Sequence, residues 1–255
     1  MLGTPPGEAR PTPANRDPLG VFRVVTEDGE SAIRISGEAL GGLTTAEAFC
    51  NYRLWLEFKW GDERFPPRAD LPRDSGLMYH GVGAPDPATG WLESAQFGIL
   101  EGGETGDFYG VPGAHGARVV ADVRGEGIPA PERRYPSQSI RYRPDGRPFV
   151  GTTAGILNRG DRERPVGQWN ALELICFGPR AIHVVNGEPS LAVTNLRRRL
   201  DGREVPLVAG RLQLQSEGAE MFFRRGQIRP IDATPPEFRD ERPVGPPAPA
   251  PRTGR

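Results

Sequence analysis

The sequence predicts an all-β protein, a two-sheet antiparallel sandwich of the jelly-roll kind, on three observations. Gly and Pro account for 34 and 28 of 255 residues, about twice their average usage, and both disrupt helix interiors. Apolar and polar residues alternate with a period of two over several stretches, as in half-buried strands. No helical period of apolar residues is sustained, and turn signals recur between the alternating stretches, the pattern of sandwiches and jelly rolls.

In chain order, residues 1–18 hold five prolines and almost no large apolar side chains, and 233–255 contain PPEFRDERPVGPPAPAPRTGR. Neither buries enough apolar surface to offset its ordering entropy, so both are expected to be flexible or pinned only locally, the second as a disordered tail. Residues 19–232 read as one domain, without a composition shift or long internal repeat. Thr45-Ala46-Glu47-Ala48 reads as one short helical turn. From Asn51 to Trp60, apolar Tyr52, Leu54, Leu56, Phe58 and Trp60 alternate with Arg53, Trp55, Glu57 and Lys59. RDSGLMYHG (73–81) reads as a strand in which His80 shares a face with Met78 and Val82. Over 93–100, Ser94, Gln96, Gly98 and Leu100 take one face and Ala95, Phe97 and Ile99 the other. Leu172–Cys176 and Ala181–Val185 flank a Gly-Pro turn as a hairpin. Asn186-Gly187, the strongest short hairpin signal, leads to Ser190–Val193. Leu212–Gln215, Phe222-Phe223 and Gln227–Arg229 complete the series.

The composition excludes several classes of function. With 32 Lys+Arg against 33 Asp+Glu, net −1, nothing favours nucleic acid or an anionic membrane as partner. No apolar run approaches the roughly 20 residues of a membrane span. Cys50 and Cys176 could form one bridge or be two buried thiols. The first residues lack a basic segment followed by an apolar stretch, so the expectation is no secretory signal or one already removed. G-x-S-x-G, H-E-x-x-H and C-x-x-C are absent.

Three clusters could carry chemistry. Trp55, Glu57 and Lys59 suit a sugar, the indole stacking on C–H faces and the charges bonding hydroxyls; the other reading is a solvated face with an ion pair worth under about 1 kcal/mol. His80 is either a general acid/base or metal ligand or a core histidine satisfied by a carbonyl; His183, among apolar neighbours, reads as structural. Glu101, Glu104 and Asp107, three carboxylates in seven residues, could hold a structural calcium ion, although their spacing matches no calcium-loop pattern.

Together LGGLTT (40–45), NYRLWLEFKWG (51–61), RDSGLMYHGVG (73–83), ILEGGETGDFYG (99–110), GQWNALEL (167–174), VNGEP (185–189), GRLQLQSEG (210–218) and FFRRGQIRPI (222–231) resemble, in order and spacing, the bacterial 3-keto-disaccharide hydrolase-like family. The resemblance implies a jelly roll of the concanavalin A-like lectin and glucanase type with a concave sugar-binding face. It also implies a periplasmic or secreted setting, a 3-keto mono- or disaccharide ligand, and no required cofactor. The ketone at C3 acidifies the C2 hydrogen, so a base can remove it, the glycosidic oxygen can leave, and water can add. On matching positions the resemblance places Lys59, His80, Glu57 and Glu101 as catalytic groups, with Lys59 as base or enolate stabiliser, its pKa lowered by burial beside Trp55. Trp55, Gln96, Asp74 and Gln215 become sugar contacts. One departure matters. Where the family carries Glu, one residue, then Gln, this chain has Gln96 and Gly98. Gln keeps the shape but loses the ionisable proton, and Gly98 is expected to enlarge the pocket; Glu101, Glu57 or Glu93 could substitute. Arg225-Gly226, a second departure, should affect only a strand edge. Three readings follow: an enzyme cleaving 3-keto-glycosides, a non-catalytic carbohydrate-binding module, and a sandwich with no ligand.

Overall fold

Seventeen strands succeed one another in the residues described by the computed structural model, 2–4, 12–113, 117–153 and 155–239. Strands β1 (Phe22–Glu27) and β2 (Glu30–Ile35) form a hairpin, followed by β3 (Gly41–Cys50) and the long β4 (Tyr52–Arg64). β5 (Asp74–Val82), β6 (Glu93–Leu100) and β7 (Phe108–Val111) make a meander. β8 (Arg118–Gly127), β9 (Gln138–Tyr142), β10 (Arg147–Thr152) and β11 (Gly155–Leu157) wrap one side. A second meander comprises β12 (Asn170–Phe177), β13 (Arg180–Val185) and β14 (Glu188–Leu200). Then come the short β15 (Arg203–Pro206), β16 (Ala209–Ser216) and β17 (Ala219–Pro230).

Hydrogen bonding runs β1-β2-β17-β4-β12-β13-β14 in one layer and β3-β16-β5-β6-β7 in the other. β8 pairs with β14 and, through β9 and β11, reaches β7, joining the layers along one side. The pairing of β9 with β11 is parallel. The architecture is the jelly-roll sandwich that the alternation predicts. Tyr52, Leu54, Leu56, Phe58 and Trp60 of β4 share one core with Leu77 and Tyr79 of β5 and Ala95, Phe97 and Ile99 of β6. Burying one Leu or Phe side chain contributes about 1.5–3 kcal/mol, so these rows dictate which face of each strand turns inward. At Asn186-Gly187, φ values of 51° and 85° give the two-residue turn that joins β13 to β14, with both central residues left-handed as a type I′ turn requires.

Four local expectations need correction. Thr45–Ala48 is strand, not helix: β3 bulges there, with Ala48 opposite Arg211 and Thr44 opposite Gln213. The Thr45 hydroxyl accepts from the Leu212 amide at 3.0 Å and donates to the Glu47 carbonyl at 2.8 Å, replacing lost ladder bonds. His80 does not share the outer face of Met78. A bulge between Tyr79 and Val82 adds one residue to β5 relative to β6, His80 takes a φ of 53°, and the side chain turns into the core. The segments called flexible and disordered hold anchored residues. Leu2 is buried and bridges to Gly41, and Asp17 accepts from the Val21 and Phe22 amides. Phe238 is 5% exposed within the core; residues 5–11 and 240–255 lie outside the described residues. Finally, Cys50 and Cys176 are two free thiols, one exposed and one buried, and burial pushes the Cys176 thiol up to about 12.

Candidate active site

The eight sequence-predicted residues separate into four places. Trp55, Glu57 and Lys59 stand on the outer face of β4, turned away from the core that their neighbours enter. Glu57 and Lys59 each have opposite partners there. The Lys59 ammonium bonds Glu27 and Asp28, the latter at 2.8 Å, and lies 5.2 Å from the Trp169 ring centroid. Glu57 accepts from Arg224 at 2.6 Å and Arg225 at 3.4 Å. Burial alone would lower the Lys59 pKa, but the bonds it donates to Asp28 and Glu27 outweigh that and raise it. The expected basic amine is therefore a firmly held ammonium.

His80 is fully buried. Its Nδ1 lies 3.2 Å from the Leu207 carbonyl; a carbonyl only accepts, so Nδ1 carries the proton. Burial lowers its pKa to about 4 against the smaller effect of that bond, leaving a neutral imidazole packed edge-on against Tyr52 at 5.9 Å. His183 is structural: it stacks on Phe97 at 4.2 Å and contacts the Gly106 carbonyl and the Tyr79 hydroxyl. Glu101 sits in the turn after β6 and accepts from the Arg73 amide at 3.0 Å and guanidinium at 3.1 Å. Glu93 is held by Arg198 through two 2.6 Å bonds.

Asp74, Gln96 and Gln215 do converge. They share a cleft of about 710 Å³ on the outer face of the β16-β5-β6-β7 layer, within the roughly 300–1,000 Å³ typical of small-molecule sites. Asp74 opens β5, Gln96 lies mid-β6 opposite Met78, and Gln215 is on β16. The Gln96 amide donates to Gln215 Oε1 at 2.7 Å, and Gln215 Nε2 donates to Glu217 Oε2 at 2.5 Å. Gly76 makes room for this chain, because a Cβ there would stand 2.2 Å from Gln96 Nε2. Arg68 closes the cluster, 2.7 Å from Asp74 and 3.7 Å from Glu217. Trp91, Tyr109 and Tyr135 supply aromatic surface to the same cleft. The Trp91 indole N–H donates to the Gly41 carbonyl at 3.0 Å, anchoring its loop to β3. Gly98 does not enlarge the cleft: the Tyr109 ring occupies the space, 3.1 Å from where a Cβ would stand.

The electrostatics of the cleft are unbalanced. Two carboxyl groups share one guanidinium, and Glu104, itself 3.3 Å from Arg134, also acts on Asp74. Burial raises the pKa of Asp74 above the ordinary carboxylate range, opposed by Arg68 and reinforced by Glu104. Burial also raises that of Glu217, reinforced by the charge of Asp74 and opposed by Arg68. Like charges in a shared, largely buried site cannot both ionise readily, so the pair retains a proton at pH values where isolated carboxyls have lost theirs. Such a pair can offer an acid and a base together.

Sequence reasoning missed Arg68, Trp91, Tyr135 and Glu217. Glu217 had a signal: it follows Gln215 by two residues inside GRLQLQSEG. The carboxylates of the 101–107 loop diverge in this structure. Glu101 turns to Arg73, Glu104 bonds Gln138 at 2.6 Å, and Asp107 accepts from the Asn158 amide at 2.7 Å. Among the described residues no group of three or more His, Cys, Asp or Glu side chains could hold a metal ion, and no helix is long and apolar enough to cross a membrane.

A jelly-roll sandwich with a carboxyl pair, side-chain amides and aromatic rings in one sheet-face cleft is of the carbohydrate-active, glycosyl hydrolase-like or carbohydrate-binding class. A family model described as the 3-keto-alpha-glucoside-1,2-lyase-like domain matches residues 6–229, and the chain belongs to that family. Similar solved structures include a candidate glycosyl hydrolase from Parabacteroides distasonis, 15% identical, with 85% of this chain and 93% of that one covered and a TM-score of 0.49. Another is the carbohydrate-binding module CBM66 from Bacillus subtilis, 9% identical, covering 82% and 91% at a TM-score of 0.42. A Bacillus subtilis protein with a galectin-like fold is 12% identical, covering 82% and 86% at 0.45. A comparison with curated proteins finds no match.

Proposed function

We propose that the protein cleaves 3-keto-glycosides, and that the pair Asp74 and Glu217 in the cleft does the proton transfers. The observation that supports this reading is the pair itself: two carboxyls with raised pKa values around one arginine, beside the amides of Gln96 and Gln215. Asp74, closest to Arg68, is the ionised member and takes the proton from C2 of the sugar. The electron pair of that C–H bond moves into the C2–C3 linkage, and the C3 oxygen becomes an enolate beside the Arg68 guanidinium. As the enolate collapses, C3=O re-forms, a C1=C2 double bond forms, and the bond from C1 to the glycosidic oxygen breaks. That oxygen receives the proton of Glu217, and water then adds across C1=C2 to give the free 3-keto sugar. The scheme uses neither Lys59 nor His80 and needs no ionisable group at Gln96, which serves to position Gln215 and, through it, Glu217. It carries with it the periplasmic or secreted bacterial setting of the family resemblance.

Release of the aglycone from a 3-keto-α-glucoside, followed with purified protein, tests the reading; no release at any pH between 5 and 9, roughly the range over which such a pair would titrate, sinks it. The second reading, a carbohydrate-binding module, is favoured by Gln96 standing where the family carries Glu. It predicts binding by calorimetry without product release, and turnover gained in Gln96→Glu.

A further inference from the structure

A second cavity, about 510 Å³, abuts the cleft, and Arg68, Trp91 and Glu217 line both. The two hollows differ in chemistry. The cleft presents Asp74, Asp86, Gln96, Ser137 and Gln215, a surface suited to hydroxyl groups. The second cavity is walled mainly by hydrocarbon, from Leu2, Leu19, Leu40, Pro66, Pro67 and Leu71. Its threonines offer little to a ligand, since the hydroxyl of Thr4 donates to the Pro87 carbonyl at 2.8 Å and that of Thr12 is directed to the Gly3 carbonyl at 3.4 Å. Beyond the shared Arg68 and Glu217, Glu38 is the one ionisable side chain among the described residues of its lining. Leu19 and Leu71 are 49% and 44% exposed, two large apolar side chains left uncovered on one cavity. Scattered exposed leucines need no explanation; two on the rim of an apolar hollow that adjoins a proton donor do.

We infer that the second cavity receives the aglycone of the glycoside, and that this aglycone is an apolar aryl group rather than a second sugar. The inference rests on the cleavage reading above and names the substrate class of the same site. The geometry follows from the reaction. The acid that protonates the glycosidic oxygen must stand between the sugar and the leaving group, and Glu217 lines the hollows on both sides. On cleavage the C1–oxygen bond breaks, the oxygen takes the Glu217 proton, and the aglycone departs as a neutral phenol into the hydrocarbon-walled cavity. Among the described residues of that lining a second sugar would find few donors or acceptors for its hydroxyls, at a cost for each one buried unpaired. An aryl ring needs none and gains from the area it buries.

The test compares p-nitrophenyl 3-keto-α-glucoside with 3-keto-trehalose in the wild type, Leu71→Ser and Leu19→Ser. Both leucines are partly exposed, so the folded protein should tolerate the changes. The wild type should prefer the aryl substrate by about tenfold or more in kcat/KM, and each serine variant should cut the aryl-to-disaccharide ratio about tenfold, mainly through KM, as for a small apolar group lost from a pocket. Leu71→Met should retain the wild-type ratio. Equal use of both substrates, unchanged in the variants, overturns the inference and leaves the cleavage reading standing. If neither substrate is cleaved, the cleavage reading falls and calorimetry with the same two compounds decides the cavity's role. Tighter binding of the aryl glycoside, weakened in Leu71→Ser, supports it, whereas equal binding or none overturns it.

Discussion

The two outer faces of the sandwich carry nearly the same side chains and do opposite things with them. The β4 face has Trp55, Trp169, Lys59, Glu57 and several arginines; the cleft face has Trp91, Tyr135, Arg68, Asp74 and Glu217. On the β4 face charges are matched, Lys59 by Glu27 and Asp28, Glu57 by Arg224 and Arg225, and Arg53 by Glu173 and Glu237. On the cleft face two partly buried carboxyls have one arginine between them. Matching spends charge on structure; the deficit of cations in the cleft leaves a proton that can be moved. A residue inventory does not separate a reactive face from a stabilising one. The balance of charge against burial does.

The sharpest way to break this comparison is to neutralise the pair. Asp74→Asn and Glu217→Gln should each lower turnover of a 3-keto-glucoside by about 100-fold or more, the scale of lost acid–base catalysis, while circular dichroism stays that of the wild type; activity within tenfold would refute the assignment. Next in size is Arg68→Met. Arg68 opposes the rise of both carboxyl pKa values, so its loss should move both limbs of the pH–rate profile to higher pH and lower the maximum about tenfold through the unshielded enolate. In the wild type the rate should fall on the acid side as Asp74 protonates and on the alkaline side as Glu217 ionises, both above the ordinary carboxylate range.

A third prediction concerns stability. Glu163 accepts from the Trp60 indole at 2.6 Å and the Thr105 hydroxyl at 2.7 Å, and burial, only partly offset by these bonds, raises its pKa to about 7. A carboxyl whose folded pKa exceeds its unfolded value near 4.3 favours the fold fully below that value and loses the effect as pH rises through about 7. Between pH 5 and 8, Glu163→Gln should therefore lose less melting temperature than the wild type, by roughly 3–6 °C; parallel curves would count against it. The smallest effect belongs to the matched face. Lys59→Met should leave turnover within about twofold and lower Tm by roughly 2–4 °C, the equivalent of about 1 kcal/mol for a partly solvated ion pair. A large loss of turnover there would reverse the comparison.

The fold was legible because alternation along β4, β6, β12 and β13 is a direct record of which side chains the core takes. The site was legible in part. Asp74, Gln96 and Gln215 could be picked out because they lie on regular strands whose outer face the period of two identifies. His80 could not be placed, since a single extra residue in β5 turned it inward, and a bulge depends on the partner strand as well as on its own sequence. Trp55, Glu57 and Lys59 were correctly read as one face, but alternation does not say on which side of a two-layer sandwich a face will lie. Arg68, Trp91 and Tyr135 come from loops whose positions only the assembled layers set. Phe238, in a segment that composition marks as disordered, is held by packing and by the neighbouring Glu237–Arg53 pair, a local effect that averages out of composition.

Carboxyl-carbon NMR, recorded as a pH titration with and without a 3-keto-glucoside ligand, tests the contrast between the faces most directly. The Asp74 and Glu217 resonances should titrate above the ordinary carboxylate range and move when the sugar binds, while that of Glu57 stays still. Ordinary titration of both cleft carboxyls, or a sugar-induced shift at Glu57 alone, would place the chemistry somewhere else.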